Sequence, residues 1–203
     1  MDFIKSVSLL ILCILFMLIV SRCDRPEVIH DLSDKKFTLL NQDSTTINFP
    51  SDFKDDYLVV AFIYTYCPDI CNITTANMKN ISNQLETTSD VQFVEITFDP
   101  KRDTPSVLNE YMQTFKLDEQ RFTMLTGDSE SVNSVLNAMD IEAAISYRDT
   151  TASGKISYTM NHTDRIMVMD TQGRVRFEYP GSRVPPEHVI QDLNKIRTSW
   201  YEF

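Results

Sequence analysis

The stretch Leu58-Val-Val-Ala-Phe-Ile-Tyr64-Thr-Tyr-Cys67-Pro-Asp-Ile-Cys71 decides how the chain is read. Leu58 to Tyr64 is a continuous apolar run of strand length. Such a run fits a strand covered on both faces of a sheet. Two cysteines follow it at once, with three residues between them. Residues four apart share a helix face, so a helix begun here aligns the two sulfurs. A helix start also gathers unpaired N–H groups and the positive end of the dipole, which favour thiolates. Pro68 suits this place, because its missing N–H would be unpaired in any case.

Outward from this stretch, strands and helices alternate. Ile73 to Leu85 carries Met78, Ile81 and Leu85 at helical spacing, and Val91 to Phe98 reads as a second buried strand. Thr104 and Pro105 mark a helix to about Phe115, with Thr104 able to cap it. Phe122 to Leu125 is a short strand, and Asp128 or Ser129 opens a helix through Met139. Arg165–Asp170 and Arg174–Tyr179 flank Thr171-Gln172-Gly173 as a hairpin. Pro185-Pro186 opens a last helix reaching Tyr201. Upstream, Phe37–Leu40 and Thr45–Asn48 read as a small hairpin extension. The expected fold is an α/β sandwich around a mixed central sheet.

The N-terminus points to a tether. Val7 to Val20 is uncharged, with Lys5 before it. As a helix it would reach about 21 Å at ~1.5 Å per residue, short of a ~30 Å hydrocarbon core. It reads as a signal-peptide core or a short anchor. Val20-Ser21-Arg22-Cys23 resembles a lipobox with Cys23 as the lipidated residue, although Arg22 stands where small residues are usual. The expected organisation is residues 1–23 as signal or anchor, 24–34 as tether and 35–203 as one folded domain, at the cell membrane on the extracytoplasmic side. The net charge of −10 and the lack of a Lys/Arg cluster exclude nucleic-acid binding as the expected role.

Of four cysteines, Cys13 lies in the apolar run and Cys23 at the lipobox, which leaves Cys67 and Cys71 for the domain. They can form a disulfide, a redox couple or a metal clamp. A clamp needs a third ligand. His30 lies in the tether, and His188 sits one turn into the last helix. His162, in the polar loop Met160-Asn161-His162-Thr163 before a buried strand, is the candidate. Two thiolates and an imidazole suit copper, Cu(I) included, and also zinc. Met167 and Met169 alternate within a strand and read as core, and Met160 reads as packing or as a thioether near the metal. Asp69 is an exposed loop acid or a tuning group. Asp99 ends a strand and Asp103 supports the helix start at Thr104. Arg102 is the arginine nearest in sequence for a peroxidase, but no motif links it to Cys67.

With these motifs in place, the chain resembles the Sco/SenC family of copper-binding proteins. Cys67-Pro-Asp-Ile-Cys71 matches its CPDxC core. Ile96-Thr-Phe-Asp-Pro-Lys-Arg-Asp-Thr-Pro105 matches its DPxRDTP strand end. Leu125-Thr-Gly127 and Asn161-His162 with Asp170-Thr-Gln-Gly173 follow in order. The resemblance implies a thioredoxin-like fold and copper held by Cys67, Cys71 and His162; the spacing of Cys67 and Cys71 also allows a Cys67–Cys71 disulfide. The resemblance further implies a metallochaperone that delivers copper to the binuclear copper site of cytochrome c oxidase, or keeps the cysteines of that site reduced, rather than a turnover enzyme. The partner would be the copper-bearing oxidase subunit or another copper chaperone. A thiol–disulfide oxidoreductase acting on exported partners is the alternative. Asn72 replaces a usual proline. Asn161 replaces a frequent aspartate, and loss of that charge is expected to weaken the preference for Cu(II).

Overall fold

A computed structural model describes residues 26–85, 90–150, 154 and 156–198. The expected signal or anchor segment, with Cys13, and Cys23, the expected lipidation residue, lie outside the described residues. So does the end of the last expected helix beyond residue 198.

Strands β1 (His30–Asp31), β2 (Phe37–Asn41), β3 (Thr46–Phe49), β4 (Tyr57–Ile63), β5 (Val91–Thr97), β6 (Phe122–Thr126), β9 (Ile166–Met169) and β10 (Arg174–Tyr179) form one sheet. Its order is β1-β10-β9-β4-β5-β6-β2-β3. Strands β4, β5 and β6 run parallel, and the flanking strands are antiparallel. Every residue of β4 and β9 is buried, which is why both read as unbroken apolar runs rather than as alternation. Met167 and Met169 are core residues, as expected.

Among the described residues, four α-helices cover the sheet: α1 (Ile70–Gln84), α2 (Pro105–Phe115), α3 (Ser129–Ala138) and α4 (Pro186–Thr198). Helix α1 buries Cys71, Thr74, Thr75, Met78, Ile81 and Ser82, and packs on β4 and α4. The α1 helix starts three residues before the expected Ile73, so Cys71 lies inside its first turn. Asp128 caps α3 by accepting from the Ser131 N–H at 2.7 Å. Thr104 precedes α2 but makes no side-chain cap bond; its Oγ1 pairs with Ser106 Oγ at 3.1 Å.

Two features differ from the expectation. His30 and Asp31 pair with β10, and Leu32 is buried, so part of the segment read as tether adds an edge strand. Strands β7 (Ala143–Thr150) and β8 (Ile156–His162) form a separate antiparallel arm. His162 therefore ends a strand rather than sitting in a loop. The arm is mostly exposed, so no apolar periodicity announces it.

Candidate metal centre

Parallel strands deliver the site, because the loops leaving the carboxyl ends of β4 and β5 meet on one edge of the sheet. The first carries Cys67, and the second runs from Asp99 to Thr104. Asp103 ties the two together. Its buried carboxylate accepts from Thr65 N–H at 3.1 Å, Thr65 Oγ1 at 2.6 Å and Thr97 Oγ1 at 2.6 Å. Burial raises its pKa above the ordinary carboxylate value, opposed by those donated bonds. Asp103 was expected to serve the α2 start; it holds the cysteine loop as well.

Cys67 and Cys71 are both buried and both free thiols. The Cys67 N–H donates to the Tyr64 carbonyl at 3.1 Å. Burial, the largest cause, pushes the Cys71 thiol well above its usual range. A buried thiol of this kind loses its proton when a cation takes its place beside the sulfur.

The arm brings in the third ligand. Cys71 Sγ lies 3.6 Å from His162 Nε2. The Cys67, Cys71 and His162 donor atoms all lie within 4.8 Å of one another. In a trigonal site with bonds of ~2.0–2.3 Å, donors stand about 3.5–4.0 Å apart. Shifts of about 1 Å therefore bring all three onto one ion. His162 Nδ1 faces the Thr163 carbonyl at 3.1 Å. With Nδ1–H donating there, the Nε2 lone pair points at the sulfurs. The ring is held by Phe98, with centroids 4.6 Å apart, and by the edge of Tyr64 at 5.9 Å.

Further contacts fix the arm. Tyr158 OH donates to Asp99 at 2.7 Å, and Arg102 Nη1 donates to the Tyr158 carbonyl at 2.9 Å. Arg102 also pairs with Asp99. Its guanidinium lies 3.5 Å from the Tyr158 ring centroid and 5.0 Å from that of Tyr66. Met160 N–H donates to Tyr64 OH at 3.4 Å. Arg102 thus braces the cysteine loop against the strand that ends in His162. Its partners are Asp99 and Tyr158 rather than Cys67, which does not suit the activating arginine of a peroxidase.

Asn72 makes contacts that a proline could not. Its Nδ2 donates to the Cys67 carbonyl at 3.3 Å, and Tyr111 OH donates to its Oδ1 at 3.2 Å. Beneath it, Thr75 Oγ1 meets Tyr111 OH and donates to Glu95 Oε2, each at 3.1 Å. Glu95 is fully buried, and burial pushes its pKa up to about 8. The acid inside the run Val91–Phe98 was its only signal in the sequence.

The other candidates fall elsewhere. His30 Nε2 bonds Glu178 at 2.9 Å on the β1–β10 edge, and His188 is exposed on α4. Asp69 precedes α1 without a side-chain cap bond and is exposed. Met160 packs against the core. Asn161 is exposed, and strand alternation turns it to the face opposite His162.

The SCO1/SenC family model matches residues 28–198. The chain belongs to the SCO1/SenC family. An SCO2-like protein of Rickettsia prowazekii is 32% identical over 140 residues, covering 68% of this chain and 64% of that relative. The match thus spans just under two thirds of the relative's length. The copper-bound structure of Bradyrhizobium japonicum ScoI superposes with a TM-score of 0.59 at 26% identity, over 79% of this chain and 96% of that one. BsSco, a member of the Sco family of cytochrome c oxidase assembly proteins, superposes at 0.66 with 22% identity, over 87% and 98%. The expected thioredoxin-like fold is therefore that of its structural relatives.

Proposed function

We propose that this SCO1/SenC protein is a copper carrier that binds one copper ion through Cys67, Cys71 and His162. Its recipient would be the binuclear copper site of cytochrome c oxidase. The observation that carries the reading is the convergence of two thiols and an imidazole within 4.8 Å. The donor set fits the ion: soft sulfur favours Cu(I), and imidazole is acceptable to either copper oxidation state. B. japonicum ScoI holds copper in a related fold. The sequence before residue 26 supports attachment to the membrane, by lipid at Cys23 or by a helix, with the domain on the extracytoplasmic side.

Release matters as much as binding for a carrier. Cys67 and His162 come from different elements, a loop and the end of an arm, so the ligand set can open without unfolding α1. Anaerobic titration with Cu(I) against a competing chelator tests the reading. One ion per chain, with affinity lost in Cys67→Ser, supports it. Full binding in Cys67→Ser overturns it.

A second reading shares the thiols. Two free sulfurs this close can close a disulfide while reducing a partner's cysteines. It predicts turnover on a disulfide substrate that is unchanged by His162→Ala.

A further inference from the structure

Strand alternation gives the arm a second use. Ile156, Tyr158, Met160 and His162 share one face of β8, and Arg148 on β7 stands opposite Tyr158. The face that presents His162 to the thiols therefore also looks across at the loops after β4 and β5. Between arm and loops lies an open cleft of about 570 Å³, lined by Tyr66, Lys101, Arg102, Arg148, Ile156, Ser157 and Tyr158. Tyr66 in its wall is the residue directly before Cys67.

The chemistry of this cleft is unlike that of the rest of the chain. The protein has 29 acidic and 19 basic residues, yet Lys101 and Arg148 line the cleft beside Arg102, which is paired with Asp99, and no carboxylate is part of the lining. Lys101 and Arg148 are exposed, and neither forms an ion pair among the described residues. Tyr66 and Ile156 are more than half exposed beside them. Aromatic and apolar walls with arginine are the composition of a protein-binding surface.

We propose that this cleft docks a carboxylate-rich, extended segment of the partner protein that exchanges copper or electrons with the thiols. Acidic side chains would pair with Lys101 and Arg148 while the apolar parts of the segment lie on Tyr66 and Ile156. A segment held there would touch Tyr66, the residue before Cys67. The positive cleft would also steer an acidic partner to one edge of a protein whose net charge is −10. The inference rests on the proposed function only for what the partner brings.

The test needs no copper. A labelled peptide rich in Glu and Tyr, and its Gln counterpart, are titrated by fluorescence anisotropy with the full metal-free chain in detergent. The Glu peptide is expected to bind about tenfold more tightly than the Gln peptide, with the difference shrinking as salt is added. The double variant Lys101→Glu with Arg148→Glu, both at exposed positions, should abolish that preference. Lys35→Glu with Lys54→Glu, beyond the opposite end of β4, should leave it intact. Equal affinity for the two peptides overturns the proposal, as does a preference that survives the cleft variant. A dimer in sedimentation that is lost in the cleft variant also counts against it, since the occupant would then be a second copy of this acidic chain. Failure here leaves the copper reading standing, and loss of that reading leaves this assay valid.

Discussion

His162 Nε2 lies 3.6 Å from Cys71 Sγ across a separation of 91 residues. The contact joins the first turn of α1 to the end of an arm that is not part of the main sheet. Phe98, Tyr64 and the Thr163 carbonyl hold the imidazole in place without help from the thiols. The ligand geometry is therefore largely preformed, which reduces the ordering cost of binding.

Because the ring sits at the rim of the fold, His162→Ala should unfold nothing. The expected result is a circular dichroism spectrum and melting temperature close to wild type, with Cu(I) affinity lower by at least about tenfold in chelator competition. Unchanged affinity would remove His162 from the ligand set.

Asp103→Ala should act on both stability and the site. It leaves the Thr65 N–H and the Thr65 and Thr97 hydroxyls without their common acceptor. An orphaned buried donor costs about 1–3 kcal/mol, and of the three only the Thr97 hydroxyl is buried while the two Thr65 donors are half-buried, so a loss of roughly 3 kcal/mol in urea unfolding is expected. Asp103→Asn, which keeps one acceptor oxygen, should lose less.

Glu95 links stability to pH. Its folded pKa is raised to about 8 from 4.5, so between those values the folded state holds a proton that the unfolded state has released. Stability from this group is present below about 4.5 and falls as pH rises towards 8. Glu95→Gln removes the titration. Its stability relative to wild type should grow across that window by at most about 1.4 kcal/mol per pH unit, then flatten. Urea midpoints measured from pH 5 to pH 9 check the slope.

Asn161→Asp tests the expected charge effect on copper preference. The side chain faces away from the ligands and is exposed, so solvent screens the added charge. The ratio of Cu(I) to Cu(II) affinities should change by less than about threefold. A larger change would restore the role first expected for this position.

Much of this architecture can be read from the chain, for a physical reason. Strands β4 and β9 are buried along their whole length, so they appear as apolar runs, and Asp128 and Pro105 mark helix starts by their chemistry. The CPDxC and DPxRDTP stretches are local, and both fall at the ends of parallel strands. The β7–β8 arm is different. Ile145, Tyr147 and Ile156 face solvent, so the alternation that marks a half-buried strand is missing. The placement of His162 at a strand end depended on that arm. The Asp103 strap and the Glu95–Thr75–Tyr111–Asn72 chain join separate elements and cannot be seen in any one segment.

The most direct test is X-ray absorption spectroscopy at the copper edge of protein carrying one equivalent of Cu(I). Two sulfur neighbours and one nitrogen neighbour are predicted for the wild type, with the nitrogen lost in His162→Ala. A spectrum with fewer than two sulfurs, or one unaltered by His162→Ala, would contradict a site built from Cys67, Cys71 and His162.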